Sequence, residues 1–183
     1  MSEAHVRGDS YNILSGGDYY LYICFMYIDF LKEHELIQAL LKRLPRVDPN
    51  DTLVINVSPD YSSIVSMQIA HYLSAHGKML DMFHLDVPYP GESIDNYQHE
   101  FKRSGQIIPY RYHKVILVEA AVLSGSNYTW IKEMLLDMGY ENDDIITVSL
   151  IEMNSSKFKC EYVQVYTDTM PEFYWERYNK HWE

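Results

Sequence analysis

The chain has 183 residues, 47% of them hydrophobic, which is enough to build one domain with a proper core. Its formal net charge of −11 excludes a broad basic surface for nucleic acid, although a local basic patch can still hold one small phosphorylated ligand. The cysteines, Cys24 and Cys160, have no Cys or His at ligand spacing, which argues against both a disulfide framework and a structural zinc site.

Residues 1–18 are polar and glycine-dotted, without a signal-peptide pattern, and read as a tail before a single domain over residues 19–183. The most apolar run, Tyr19–Leu31, is broken by Asp29 and is shorter than the ~18–20 residues of a membrane span. A cytoplasmic protein without membrane contact is expected. Tyr19–Leu44 reads as helix, stopped by Pro45, with Ile28, Leu31, Leu36, Leu40 and Leu44 on one broad face. Its front half, Tyr20–Phe30, has no clean period and also admits a strand. Thr52–Val57 is a short β-branched run, the pattern of a buried parallel strand. Ser58-Pro59-Asp60 turns the chain into a helix over Tyr61–His76, closed by Gly77.

Met79–Val87 is a further strand candidate, and Pro88–Tyr112 is a long stretch of Pro, Gly, Asn, Gln and charge. A loop of that length in a small domain is usually functional or mobile. Lys114–Val118 is the clearest strand, Glu119–Asn127 reads as a loop, and Tyr128–Met138 as a helix capped by Gly139. Ile145–Ile151 and Tyr162–Tyr166 complete the strands. The alternation implies an α/β fold, a mostly parallel sheet flanked by helices.

Ligands of open α/β sheets bind beyond the carboxyl ends of the strands. At the end of Val115–Val118, Ser124, Gly125, Ser126 and Asn127 lie where the next helix begins. Glycine lets backbone approach closely, hydroxyls donate to oxyanions, and first-turn N–H groups lack partners, so a terminal phosphate suits the place. Glu119 stands where it can accept from sugar hydroxyls. On these residues alone, helix capping and chain turning are the commoner use.

Val115-Ile116-Leu117-Val118-Glu119 followed by Ser124-Gly125 resembles the signature of type I phosphoribosyltransferases: four hydrophobic residues, two acids, a short segment, then Thr-Gly-x-Thr or Ser. The resemblance covers about residues 50–178 and is closest to the hypoxanthine-guanine branch. It implies a pyrophosphate loop at Ser58, Pro59, Asp60 and Tyr61, and a flexible loop over Pro88–Tyr112 carrying Lys102, Arg103 and Arg111. A closing base-recognition segment is implied around Met170-Pro171-Glu172-Phe173; beside it Phe173 and Trp175 offer a stacking face for an acceptor, although closing a core near the terminus is the commoner use of such residues. It further implies magnesium bridging the ligand phosphates and Glu119, and makes a homodimer reasonable.

The pattern departs from the family in places. Ala120 stands where the second acid belongs, Leu123 where the purine enzymes keep an aspartate base, and Asn127 where a hydroxyl is usual. Pro59 and Asp60 suit a dianion poorly. Losing a charge-assisted contact to a ribose hydroxyl costs ~1.5–3 kcal/mol, and losing a general base costs roughly 10²–10⁴ in rate. Phosphate binding should therefore survive better than chemistry. Two functions follow: binding of phosphoribosyl pyrophosphate or a nucleotide with ribosyl transfer to a nucleobase-like acceptor, or a non-catalytic nucleotide-sensing or protein-interaction module. No protein metal site is expected, since His71 and His76 are five apart rather than four.

Overall fold

The computed structural model describes residues 10–11, 23–57, 59–74, 78–85 and 112–174. Its strands are β1 (Ser10–Tyr11), β2 (Ile23–Ile28), β3 (Thr52–Val57), β4 (Asp81–Leu85), β5 (Lys114–Val122), β6 (Ile145–Met153), β7 (Tyr162–Thr167) and β8 (Met170–Phe173). The helices are α1 (Phe30–Leu41), α2 (Pro59–Tyr72) and α3 (Ser126–Asp137). Five strands form one sheet in the order β4-β3-β5-β6-β7, every neighbouring pair parallel. The expected α/β architecture is therefore present.

Strand alternation explains how the helices are shared between the two faces. On β5, Ile116 and Val118 pack with Val54 and with Ile37, Val65 and Ile69 of α1 and α2. Val115 and Leu117 point the other way, toward Tyr128, Ile131 and Leu135 of α3. Both layers are close to dry, the usual state of a parallel sheet covered on both sides.

Residues 23–28 are strand, not helix. They pair in parallel with β8, Phe25 opposite Met170 and Ile28 opposite Phe173, in a second, smaller sheet. α1 then starts at Phe30, where Asp29 accepts the Lys32 N–H at 2.7 Å as an N-cap. The helix expected over 61–76 begins two residues earlier, with Pro59 in the first turn, where its missing N–H costs nothing.

A second correction concerns residues 119–122, expected as loop. β5 runs on through them because β6 continues beside it, with Glu119 opposite Ser149, Ala121 opposite Ile151 and Val122 opposite Glu152. β3 gives out earlier, its last partner on β5 being Val118. Past that point the Ala120 N–H is taken by Ser62 Oγ of α2 at 2.9 Å. The loop shrinks to Leu123–Gly125.

β6 and β7 are parallel yet joined only by residues 154–161, without a crossover helix. Glu152, fully buried, organises the return: it accepts the Cys160 N–H at 2.9 Å and pairs with Lys159 Nζ at 2.9 Å. The Lys157 N–H reaches Ser124 O at 3.2 Å, which brings this connection against the Leu123–Gly125 loop.

Candidate functional site

The alternation that sends Val115 and Leu117 toward α3 sends Glu119 there too. Asn127 Nδ2 donates to Glu119 Oε1 at 3.2 Å, across the step from strand end to helix start. Burial pushes the Glu119 carboxyl up to about 8, against a smaller downward pull from the Asn127 hydrogen bond. Near neutral pH the group is therefore largely protonated, able both to donate to and to accept from a sugar hydroxyl.

The turn between them depends on glycine. Gly125 has φ +79°, the left-handed region, and a Cβ there would lie 2.3 Å from Phe158 Cβ and 2.8 Å from Ser156 Oγ. It is the N-cap of α3 and offers no side-chain cap. Thr129 N–H is bonded to Gly125 O at 3.0 Å, so the amides before it belong to the helix end that has no intrahelical acceptor. Ser124 and Ser126 are exposed with their hydroxyls 3.0 Å apart, and Ser124 Oγ accepts the Ser126 N–H at 3.3 Å. Capping by Ser124 is thus a single long bond. The arrangement is chemically suited to an oxyanion: first-turn amides without intrahelical acceptors, two hydroxyls and the positive end of a helix.

Beside this turn lies a cavity of about 570 Å³ between α3 and the 154–161 connection. Leu123, Trp130, Met153 and Met170 give it carbon and sulfur walls, and Lys157 stands at its edge. The sequence singled out none of Trp130, Met153 or Lys157 at this place, whereas Met170 opens the segment that the resemblance offered for base recognition. The parallel β6–β7 return and the pairing of β8 with β2 bring them in, and neither leaves a local signature.

The remaining candidates are distributed differently. Pro59, Asp60 and Tyr61 form the first turn of α2 rather than a loop, and Ser58 lies outside the described residues. Behind that turn Asn56, fully buried on β3, bonds Ser63 Oγ at 3.1 Å, Ser66 Oγ at 2.8 Å and His84 Nδ1 at 3.1 Å. This network ties the start of α2 to the ends of β3 and β4. Lys102, Arg103, Arg111 and Trp175 fall outside the described residues. Phe173 does not offer a stacking face: it is 3% exposed and packs in the α1–α2 core, because β8 turns it inward beside Ile28. Among the described residues no three His, Cys, Asp or Glu gather to hold a metal, and no helix is long and apolar enough to cross a membrane.

No family model and no curated protein matches the chain. Solved structures do. The purine phosphoribosyltransferase of Pyrococcus horikoshii Ot3 superposes with a TM-score of 0.57 at 18% identity, covering 81% of this chain and 92% of that one. The xanthine-guanine-hypoxanthine phosphoribosyltransferase of Helicobacter pylori gives 0.55 at 16% identity, over 85% and 94%. A hypoxanthine-guanine phosphoribosyltransferase of Bacillus anthracis gives 0.51 at 14% identity, over 74% and 79%. At these identities the likeness is one of architecture, and it agrees with the resemblance carried by Val115–Glu119 and Ser124-Gly125: the chain has the fold of the type I phosphoribosyltransferases.

Proposed function

We propose that this chain binds a ligand built on ribose 5-phosphate, either phosphoribosyl pyrophosphate or a nucleotide. The observation that carries the reading is the Gly125 turn. Its left-handed backbone, the adjoining start of α3 and the paired hydroxyls of Ser124 and Ser126 form an anion cradle beside Glu119. In this reading Ser124–Asn127 hold the 5′-phosphate and Glu119 meets the ribose hydroxyls. The first turn of α2 faces the pyrophosphate.

Magnesium fits only as a companion of the ligand. No protein cage exists among the described residues, and a carboxyl held protonated near neutral pH is a poor ligand for a hard cation. No step is routed through the ion. Titration calorimetry with phosphoribosyl pyrophosphate, with and without magnesium, is the test; no heat at millimolar ligand in either condition rejects the proposal.

Ribosyl transfer would break the bond from C1 to pyrophosphate, form a bond from C1 to the acceptor nitrogen, and leave the acceptor's proton to be removed. Leu123, on the cavity wall, has no atom that can take it. Ala120 is 2% exposed on the opposite face of the sheet from Glu119. These two positions favour the second reading, a ligand-binding module without transferase activity; robust turnover by the native chain would reject it. A homodimer belongs to the proposal as well, supported by the exposed apolar side chains of Tyr27, Phe30 and Leu31 where α1 begins. Light scattering after gel filtration tests it.

A further inference from the structure

The connection between β6 and β7 is closed at its neck by one lysine. Lys159 Nζ lies 2.9 Å from Glu152 Oε1, an ion pair off the hydrogen-bonding direction. It donates to Asn154 O at 3.3 Å and to Met153 O at 3.5 Å, and stands 6.0 Å from the centre of the Tyr166 ring. Beside it the Cys160 N–H is held by Glu152 Oε2 at 2.9 Å. Glu152 is fully buried, so its charge needs a close cation, while the Lys159 side chain is 54% exposed. The other side of the same connection is the back of the cradle. Phe158 Cβ, Ser156 Oγ and the Phe158 N lie 2.3, 2.8 and 3.0 Å from where a Cβ on Gly125 would stand. The Lys157 N–H bonds Ser124 O at 3.2 Å, and Ser156 Oγ donates to Phe158 O at 2.8 Å. A displacement at the neck is therefore passed to the turn through three consecutive residues.

We infer that Lys159 is a positioning residue for the phosphate cradle. Its ammonium clasps the connection in the one arrangement that shapes the Ser124–Gly125 backbone, and it acts through Ser156–Phe158 rather than on the ligand. The inference rests on the cradle reading of Ser124–Asn127 and adds the group that sets the cradle's geometry. A backbone site holds an anion only while its amides converge, so loosening the wall behind it weakens binding without removing any group that meets the phosphate.

The experiment pairs calorimetric titration of ribose 5-phosphate with amide NMR of the free chain. The variants are Lys159→Met and the double Glu152→Gln, Lys159→Met. The double leaves no unpaired buried carboxylate and removes one charge of each sign, so long-range attraction for the phosphate is nearly unchanged, and its glutamine can still accept the Cys160 N–H. Arg43→Met is the control, because it severs a 2.7 Å bond to Val163 O on the α1 side of the sheet. The expected result is that both Lys159→Met chains bind ribose 5-phosphate about tenfold more weakly and shift the Gly125 and Ser126 amide resonances. Lys159→Arg, which keeps the charge, should stay within about threefold of the native chain, and Arg43→Met should change neither readout. Native affinity or unmoved amides in the double variant would overturn the inference, as would an equal loss in Arg43→Met. Failure of both Lys159→Met chains to fold would make the lysine a structural residue and overturn it too. If the native chain binds no ribose 5-phosphate, the cradle reading falls and takes this inference with it.

Discussion

Asn127 Nδ2 and Glu119 Oε1, 3.2 Å apart, join the first turn of α3 to the end of β5. The bond sets a neutral amide against a carboxyl whose proton affinity is governed by burial. Its effect on stability has a definite sign. Burial raises Glu119 from 4.5 to about 8 in the folded chain, so the native state holds a proton that the unfolded chain releases near 4.5. The contribution is complete below 4.5 and is lost as pH rises through about 8. Glu119→Gln should match the native chain in urea unfolding at pH 5 and exceed it at pH 9, by on the order of 1–3 kcal/mol. Glu33 of α1, raised by burial to about 7, adds a slope of the same sign to both proteins, so the difference between them isolates Glu119. Equal unfolding midpoints at pH 9 would mean that water reaches the carboxyl.

Removing the amide instead of the acid should move the titration the other way from solvation. Asn127→Ala deletes the one hydrogen bond that lowers the Glu119 value, so the carboxyl should titrate higher still. A net hydrogen bond of about 0.5–1.5 kcal/mol corresponds to at most roughly one pH unit. Carboxyl carbon shifts followed by NMR against pH give the value directly. A titration that moves down on this substitution would show that Asn127 does not hold the charged form.

How much of this was legible in the sequence follows from where each interaction comes from. Thr52–Val57 and Lys114–Val118 are β-branched, almost uniformly apolar runs, and their burial on both faces was readable from that alone. Gly125 and Gly139 were readable as turn points, and both have positive φ. Glu119-Ala120-Ala121 reads as loop because nothing in its composition shows that β6 runs on beside it. Ile23–Ile28 was ambiguous for a similar reason, since its partner β8 lies far along the chain. Phe173 admits both stacking and core closure in one dimension, core closure being the commoner, and it is a core residue in three. The cavity wall depends on the Glu152–Lys159 and Glu152–Cys160 contacts that fold the 154–161 connection back, and no local spacing announces those.

The facing of Ala120 bears on any attempt to restore the missing acid. Ala120 is 2% exposed among Val118, Val65 and Ile69 on the α2 side, and its N–H is held by Ser62. A carboxylate there enters a hydrocarbon layer, so Ala120→Asp should cost at least ~3 kcal/mol. Leu123 is 39% exposed, and Leu123→Asp should stay within about 1 kcal/mol of the native chain. Urea unfolding of the two single variants and the double variant checks this, the double losing about as much as Ala120→Asp alone. No gain of turnover is expected from it. A stable Ala120→Asp protein would show that the strand end rotates to give the new acid to water.

The strongest test of the cradle is Gly125. Alanine at φ +79° costs ~1–2 kcal/mol in backbone strain alone. Its Cβ would also sit 2.3 Å from Phe158 Cβ, and that contact has little room to yield. Phe158 stacks on Tyr128 at 5.1 Å between ring centroids, and the Tyr128 hydroxyl donates to Val148 O at 2.6 Å. Pushing Phe158 away therefore disturbs the α3–β6 contact as well as the turn. Gly125→Ala should lose at least ~2 kcal/mol of stability and all measurable affinity for ribose 5-phosphate. Ser126→Ala gives the control: the hydroxyl is exposed, so the fold should hold, while one charge-assisted bond worth ~1.5–3 kcal/mol is lost from the complex. Calorimetry and urea unfolding on both variants separate the two effects. If Gly125→Ala binds as the native chain does, the phosphate is held somewhere other than this turn, because a backbone cradle cannot keep its geometry while making room for a side chain it has no space to admit.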